Sequence, residues 1–83
     1  MGWIRGPRLW VRPGREPDGL VLVMRKSLGT AVVRNRLKRR LRAAKLECSA
    51  IPGSVVILAQ PPAVRSRYRD LREELAGLLQ ELR

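Results

Sequence analysis

The sequence predicts a small α/β (α+β) two-layer sandwich, in which a small sheet packs on two helices. Two short β-branched runs, Leu20–Met24 and Val55–Ala59, read as strands. Two longer stretches, Ala31 to about Cys48 and about Val64 to Leu82, repeat apolar residues at helical spacing. The order of these segments then decides the layering. A helix standing between two strands defaults to a parallel strand–helix–strand unit, and spacing alone gives it the common right-handed sense.

The elements follow in chain order. Residues 1–19 hold Gly2, Gly6, Pro7, Pro13, Gly14, Pro17 and Gly19, which break any helix. A short strand around Arg8–Arg12 is centred on Trp10, residues 1–7 are expected to be flexible with Trp3 loosely held, and Pro13–Asp18 reads as a turn. Leu20–Met24 is apolar throughout, so it is expected to be buried on both faces. Gly29 suits a strand-to-helix turn, and Ser27 or Thr30 could cap the helix behind it. In that helix Val33, Leu37, Leu41, Ala44 and Cys48 form the inward stripe. Pro52-Gly53 favours a type II turn before the next strand, and Pro61-Pro62 ends that strand. The closing helix turns Tyr68, Leu71, Leu75, Leu78 and Leu82 inward.

With 83 residues the chain makes one domain, spanning 1–83. A domain of that size buries only about 60% of the surface exposed by its unfolded chain, so its core is small. Charge is the dominant compositional feature: 18 Lys and Arg against 7 Asp and Glu give a net charge of +11. Such a field draws polyanions. The cations are mostly Arg, whose planar fork grips phosphate bidentately and stacks on bases. There is no His, and Cys48 is the single cysteine, so an intrachain disulfide and a cysteine-based zinc site within one chain are excluded. The N-terminal arginines Arg5, Arg8 and Arg12 interrupt any signal-peptide core, which points to a cytoplasmic protein.

Placement says more than the total. No acid occurs between Asp18 and Glu47. Arg34 and Lys38, Arg36 and Arg40, and Lys38 and Arg42 are like-charged pairs four residues apart, each costing a few tenths of a kcal/mol in a free helix. A solvated polar face would mix signs, so this helix is read as a polyanion contact. At 100° per residue, Asn35, Lys38, Arg39 and Arg42 lie opposite the apolar stripe and Lys45 towards one side. Arg36 and Arg40 fall on a flank, where a packed stem can present an ordered guanidinium. No catalytic constellation is present: Asp70, Glu73 and Glu74 sit among Arg69 and Arg72 on the solvent side of an amphipathic helix. A lipid-surface role is disfavoured because Val33, Leu37 and Leu41 are needed to cover the sheet.

The run Lys26-Ser27-Leu28-Gly29-Thr30-Ala31-Val32-Val33-Arg34-Asn35-Arg36-Leu37-Lys38-Arg39-Arg40-Leu41-Arg42 closely resembles the signature of the bacterial ribonuclease P protein family. Pro52–Ala59 and the Tyr68, Leu71, Glu74, Leu75, Leu79 pattern extend the resemblance, which covers about Arg8 to the C-terminus. It implies a mixed sheet with a left-handed strand–helix–strand crossover. It also implies the protein subunit of an endoribonuclease in which a catalytic RNA, using Mg2+, removes the 5′ leader of precursor tRNA, while the protein aids substrate and metal binding and holds no cofactor itself. The implied partners are the ribonuclease P RNA and precursor tRNA, with neither DNA nor membrane. The residues facing RNA would be Lys26, Arg34, Asn35, Arg36, Lys38, Arg39, Arg40, Arg42 and Lys45; Trp10, Arg8 and Arg12 are candidate contacts for the single-stranded leader. The family's N-terminal helix and its Phe are not matched here, as the chain contains no Phe. The alternative is a generic basic RNA-binding or ribosome-associated protein without this activity.

Overall fold

The computed structural model describes residues 2–16, 19–48 and 53–82. The described residues form four strands and two helices: β1 (Ile4–Arg5), β2 (Leu9–Pro13), β3 (Leu20–Val23), α1 (Ala31–Glu47), β4 (Val55–Ala59) and α2 (Tyr68–Glu81). Two 3-10 turns, Lys26–Leu28 and Pro61–Arg65, precede the helices. The sheet order is β1-β2-β4-β3. β3 and β4 run parallel, with Leu20 opposite Val55 and Leu22 opposite Ile57. β2 is antiparallel to β4, and β1 to β2, so the sheet is mixed.

The helices share one face of this sheet. Leu9 and Val11 of β2, Val55, Ile57 and Ala59 of β4, Leu37, Leu41 and Ala44 of α1, and Leu71, Leu75, Leu78 and Leu79 of α2 make one buried cluster. Every residue of β4 is buried, as its central position requires. The predicted two-layer sandwich and its parallel strand–helix–strand unit are therefore both present.

Four local expectations are corrected. β3 alternates half-buried and exposed residues rather than being buried on both faces, with Val21 48% and Val23 39% exposed. Among the described residues it lies at the sheet edge with β4 on one side only, and no helix covers its outward face. Residues 1–7 are not all loose: Gly6 N–H donates to the Leu9 carbonyl at 2.8 Å, closing a turn that folds Ile4–Arg5 back on Trp10 and Val11. Trp3 is half-buried, with the Arg12 guanidinium 5.1 Å from its ring centroid. The closing helix starts at Tyr68 rather than near Val64, because Pro61 and Pro62 set a 3-10 turn and Ser66 and Arg67 return to extended backbone. Pro17 and Asp18 of the Pro13–Asp18 turn, and Pro52 of the Pro52-Gly53 pair, lie outside the described residues.

Glu74 fastens β2 to α2. Its carboxylate, 9% exposed, accepts from the Arg8 and Leu9 backbone N–H groups at 2.9 and 2.7 Å and from the Arg8 guanidinium at 3.1 Å. A Cβ on Gly6 would stand 2.5 Å from Glu74 Oε2, so the small residue lets the carboxylate reach the turn.

Candidate nucleic-acid interface

α1 is launched by a short chain of local constraints. Gly29 has φ of 136°, which only glycine adopts without strain, and a side chain there would press on Val33. Thr30 follows as the N-cap, its Oγ1 accepting from Val33 N–H at 3.4 Å. The helix then carries Leu37, Leu41 and Ala44 inward while Val33 and Cys48 are only half-buried, at the margins of the stripe.

Seven cations stand on α1, and among the described residues none of them has an acid within ion-pair distance. Asn35, Arg36, Arg39 and Arg42 are exposed; Arg34, Lys38, Arg40 and Lys45 are half-buried. Lys26 is exposed on the 3-10 turn beside the start of the helix.

The burial refines the helical-wheel reading. Lys38 is half-buried instead of pointing straight out, and Arg36 is exposed rather than packed at the core border. Arg34 is the cation held by packing: its Nε is enclosed with no hydrogen-bond partner among the described residues. Arg40 does occupy a flank, where its guanidinium donates to the Ser66 carbonyl at 2.6 Å. A carbonyl bond satisfies one edge of a guanidinium and leaves the positive charge uncompensated.

A second surface lies on the sheet face away from the helices. Arg5 and Trp10 are directly paired across β1 and β2, and the Arg5 guanidinium is 4.7 Å from the Trp10 ring centroid. Trp3 and Arg12 repeat the stack one step further along the hairpin. The result is two Arg–Trp pairs side by side, each within cation–π range. Register sets Leu58 beside Trp10 and Val56 beside Arg12, with Val23 and Val21 next on β3. Trp10 and Arg12 thus share a face, but Arg8 does not join them, because its guanidinium is held by Glu74 on α2. Arg5 was missed in the sequence; the repeated spelling Trp3-Ile4-Arg5 and Trp10-Val11-Arg12, folded back on itself, is the signal that pairs Arg5 with Trp10 and Trp3 with Arg12.

Where α1 and α2 meet, the Tyr68 hydroxyl donates to Glu47 at 2.6 Å, and Arg72 lies 3.7 Å from the same carboxylate. The bond to Glu47, which stabilises the protonated phenol, raises the Tyr68 pKa. Burial raises that of Cys48, with Glu47 adding to the effect. Among the described residues no three His, Cys, Asp or Glu side chains gather as a metal site, and no helix is long and apolar enough to cross a membrane.

A family model described as Ribonuclease P matches residues 6–83. A ribonuclease P protein component from Beutenbergia cavernae is 39% identical over 70 residues, covering 81% of this chain and 59% of that protein. One from Streptomyces avermitilis is 41% identical over 69 residues, covering 80% and 56%. The chain thus spans little more than half the length of these relatives. Among solved structures, the Thermotoga maritima RNase P protein superposes with a TM-score of 0.82 at 22% identity, over 99% of this chain and 84% of that one. The Staphylococcus aureus RNase P protein gives 0.76 at 20%, over 95% and 78%. At such identities the superpositions speak for the fold.

Proposed function

The chain belongs to the ribonuclease P protein family, and we propose that it is the RNA-binding subunit of ribonuclease P, acting with a catalytic RNA to remove the 5′ leader of precursor tRNA. The observation that carries this reading is α1: seven cations, from Arg34 to Lys45, without an acidic partner among the described residues. Lys26, Arg34, Asn35, Arg36, Lys38, Arg39, Arg40, Arg42 and Lys45 would contact the ribonuclease P RNA.

The work of the protein is electrostatic and positional. Cations against phosphates release condensed counterions and relieve the repulsion that builds when two RNAs approach. Arg34, whose stem is packed, presents its charge with less conformational freedom to lose on binding than the open Arg39. In this reading the hydrolytic step and its Mg2+ belong to the RNA; the protein helps the RNA hold both substrate and metal. The Arg5–Trp10 and Trp3–Arg12 stacks would receive the single-stranded leader, since base–aromatic stacking contributes roughly 1–3 kcal/mol per base without regard to sequence. The setting would be the cytoplasm.

Reconstitution tests this. The full chain is mixed with a bacterial ribonuclease P RNA and precursor tRNA at low magnesium. Cleavage at the mature 5′ end is expected only when RNA and protein are both present. Tight RNA binding with no restored cleavage would leave a generic RNA-binding protein instead.

A further inference from the structure

A groove of about 780 Å³ lies between the two 3-10 turns, at the end of the molecule where α1 and α2 begin. Ser27 stands on one wall; Arg65, Ser66, Arg67 and Asp70 stand on the other. Arg8 also lines it, but its charge is spent on Glu74. Arg65 and Arg67 are exposed, and neither has an acid within ion-pair distance among the described residues. Asp70 is the first-turn acid of α2, where a carboxylate favours the helix start.

This groove adjoins α1. The Arg40 guanidinium crosses to the Ser66 carbonyl in the groove wall, and Arg36 lies one turn away on the same flank of α1. Lys26 adjoins Ser27 on the opposite wall. Arg65 and Arg67, on the segment that leads into α2, therefore line a groove whose wall is bonded to an α1 cation, while Glu73 and Glu81 lie further along α2. An open groove joined to a helix-long basic face suits a continuous polyanion better than an isolated small anion.

We infer that this groove seats a second run of RNA phosphate backbone, contacted by Arg65 and Arg67 and joined to the α1 surface through Arg40 and Arg36. The inference rests on the RNA-binding function proposed above and adds a contact surface that lies outside the basic helix. Asp70 then opposes the bound phosphates, which gives the site a signature of opposite sign.

The test measures affinity of the full chain for a bacterial ribonuclease P RNA across a salt series. Arg65→Ala with Arg67→Ala is expected to weaken binding about tenfold at moderate salt and to lower the salt slope by about two, roughly one per phosphate contact removed. Asp70→Asn is expected to tighten binding by about twofold, as one repulsive charge near phosphate is removed. Neither arginine is tied to the fold, so the melting temperature serves as the control. Unchanged affinity and slope in the double variant, while Arg39→Ala with Arg42→Ala loses binding, would overturn the groove and leave the proposed function standing. A neutral Asp70→Asn would count against the groove even if the arginine variant were unstable. A wild-type chain that neither prefers this RNA over an unrelated structured RNA nor restores cleavage would overturn the function itself, and the groove with it.

Discussion

The side chains that decide this fold include two that do nothing cationic. Glu74 is a carboxylate, 9% exposed, on which two backbone N–H groups and one guanidinium converge. Glu74→Ala strands those donors and is expected to cost about 2–4 kcal/mol, read as a fall of roughly 10–20 °C in melting temperature for a domain of this size. A loss below about 1 kcal/mol, typical of a surface position, would show that the carboxylate is not the anchor. Tyr68 offers a spectroscopic check on the contact between the helices. Its pKa is raised above the usual 10 by the bond to Glu47, so folding favours the protonated phenol. The support from this contact is present below the unfolded value and is lost as pH rises through the higher folded one. Tyr68 is the only tyrosine, and its phenolate absorbance is expected to appear with a midpoint above 10. Glu47→Gln should bring that midpoint back down. A wild-type midpoint at or below 10 would mean that the bond does not form in solution. Neither residue was legible in the sequence as a contact: Glu74 read as one acid of a solvent face, because spacing reports a helix face and not the turn packed against it.

At the scale of elements, the legible parts were those that satisfy their own pattern. α1 carries its stripe, its cap and its glycine within one continuous run, and β4 is apolar throughout because the sheet surrounds it. β3 has nearly the same spelling as β4 yet lies at the edge with Val21 and Val23 outward. A short apolar run does not say how many neighbours it will have. β1 was hidden for the opposite reason. Its two residues pair because the turn at Gly6 returns the chain to Trp10 and Val11, and a strand of two residues is too short to show an alternating pattern of its own. The candidate site divides in the same way. The α1 cations stand out as a run without acids, whereas the Arg–Trp stacks need the β1–β2 register and the Arg65–Arg67 groove needs two 3-10 turns brought together. Helix-long charge is written in one dimension; a groove or a cross-strand stack is created by topology.

The whole molecule carries +11 on 83 residues, and that surplus works against its own folding. Like charges three and four apart on α1 repel, and no acid on another described element comes within ion-pair distance to relieve them. A sequence optimised for stability alone would place acids there, and the frustration fits the polyanionic partner proposed above, which would remove it on binding. Stability and RNA affinity should then move in opposite directions when one exposed charge is reversed. Arg39 lies three residues from both Arg36 and Arg42, and all three are exposed. Arg39→Glu converts two repulsive spacings into attractive ones, and at low salt it is expected to raise folding stability by about 1 kcal/mol. The same change should weaken binding to ribonuclease P RNA, because it places a negative charge against phosphate. Urea denaturation at low and high salt, run beside RNA titration, reads both effects. The stabilisation should fade as salt screens the pairs. An Arg39→Glu variant that is destabilised at low salt, or that binds RNA as tightly as the parent chain, would show that the charge of α1 is not held in reserve for an anion.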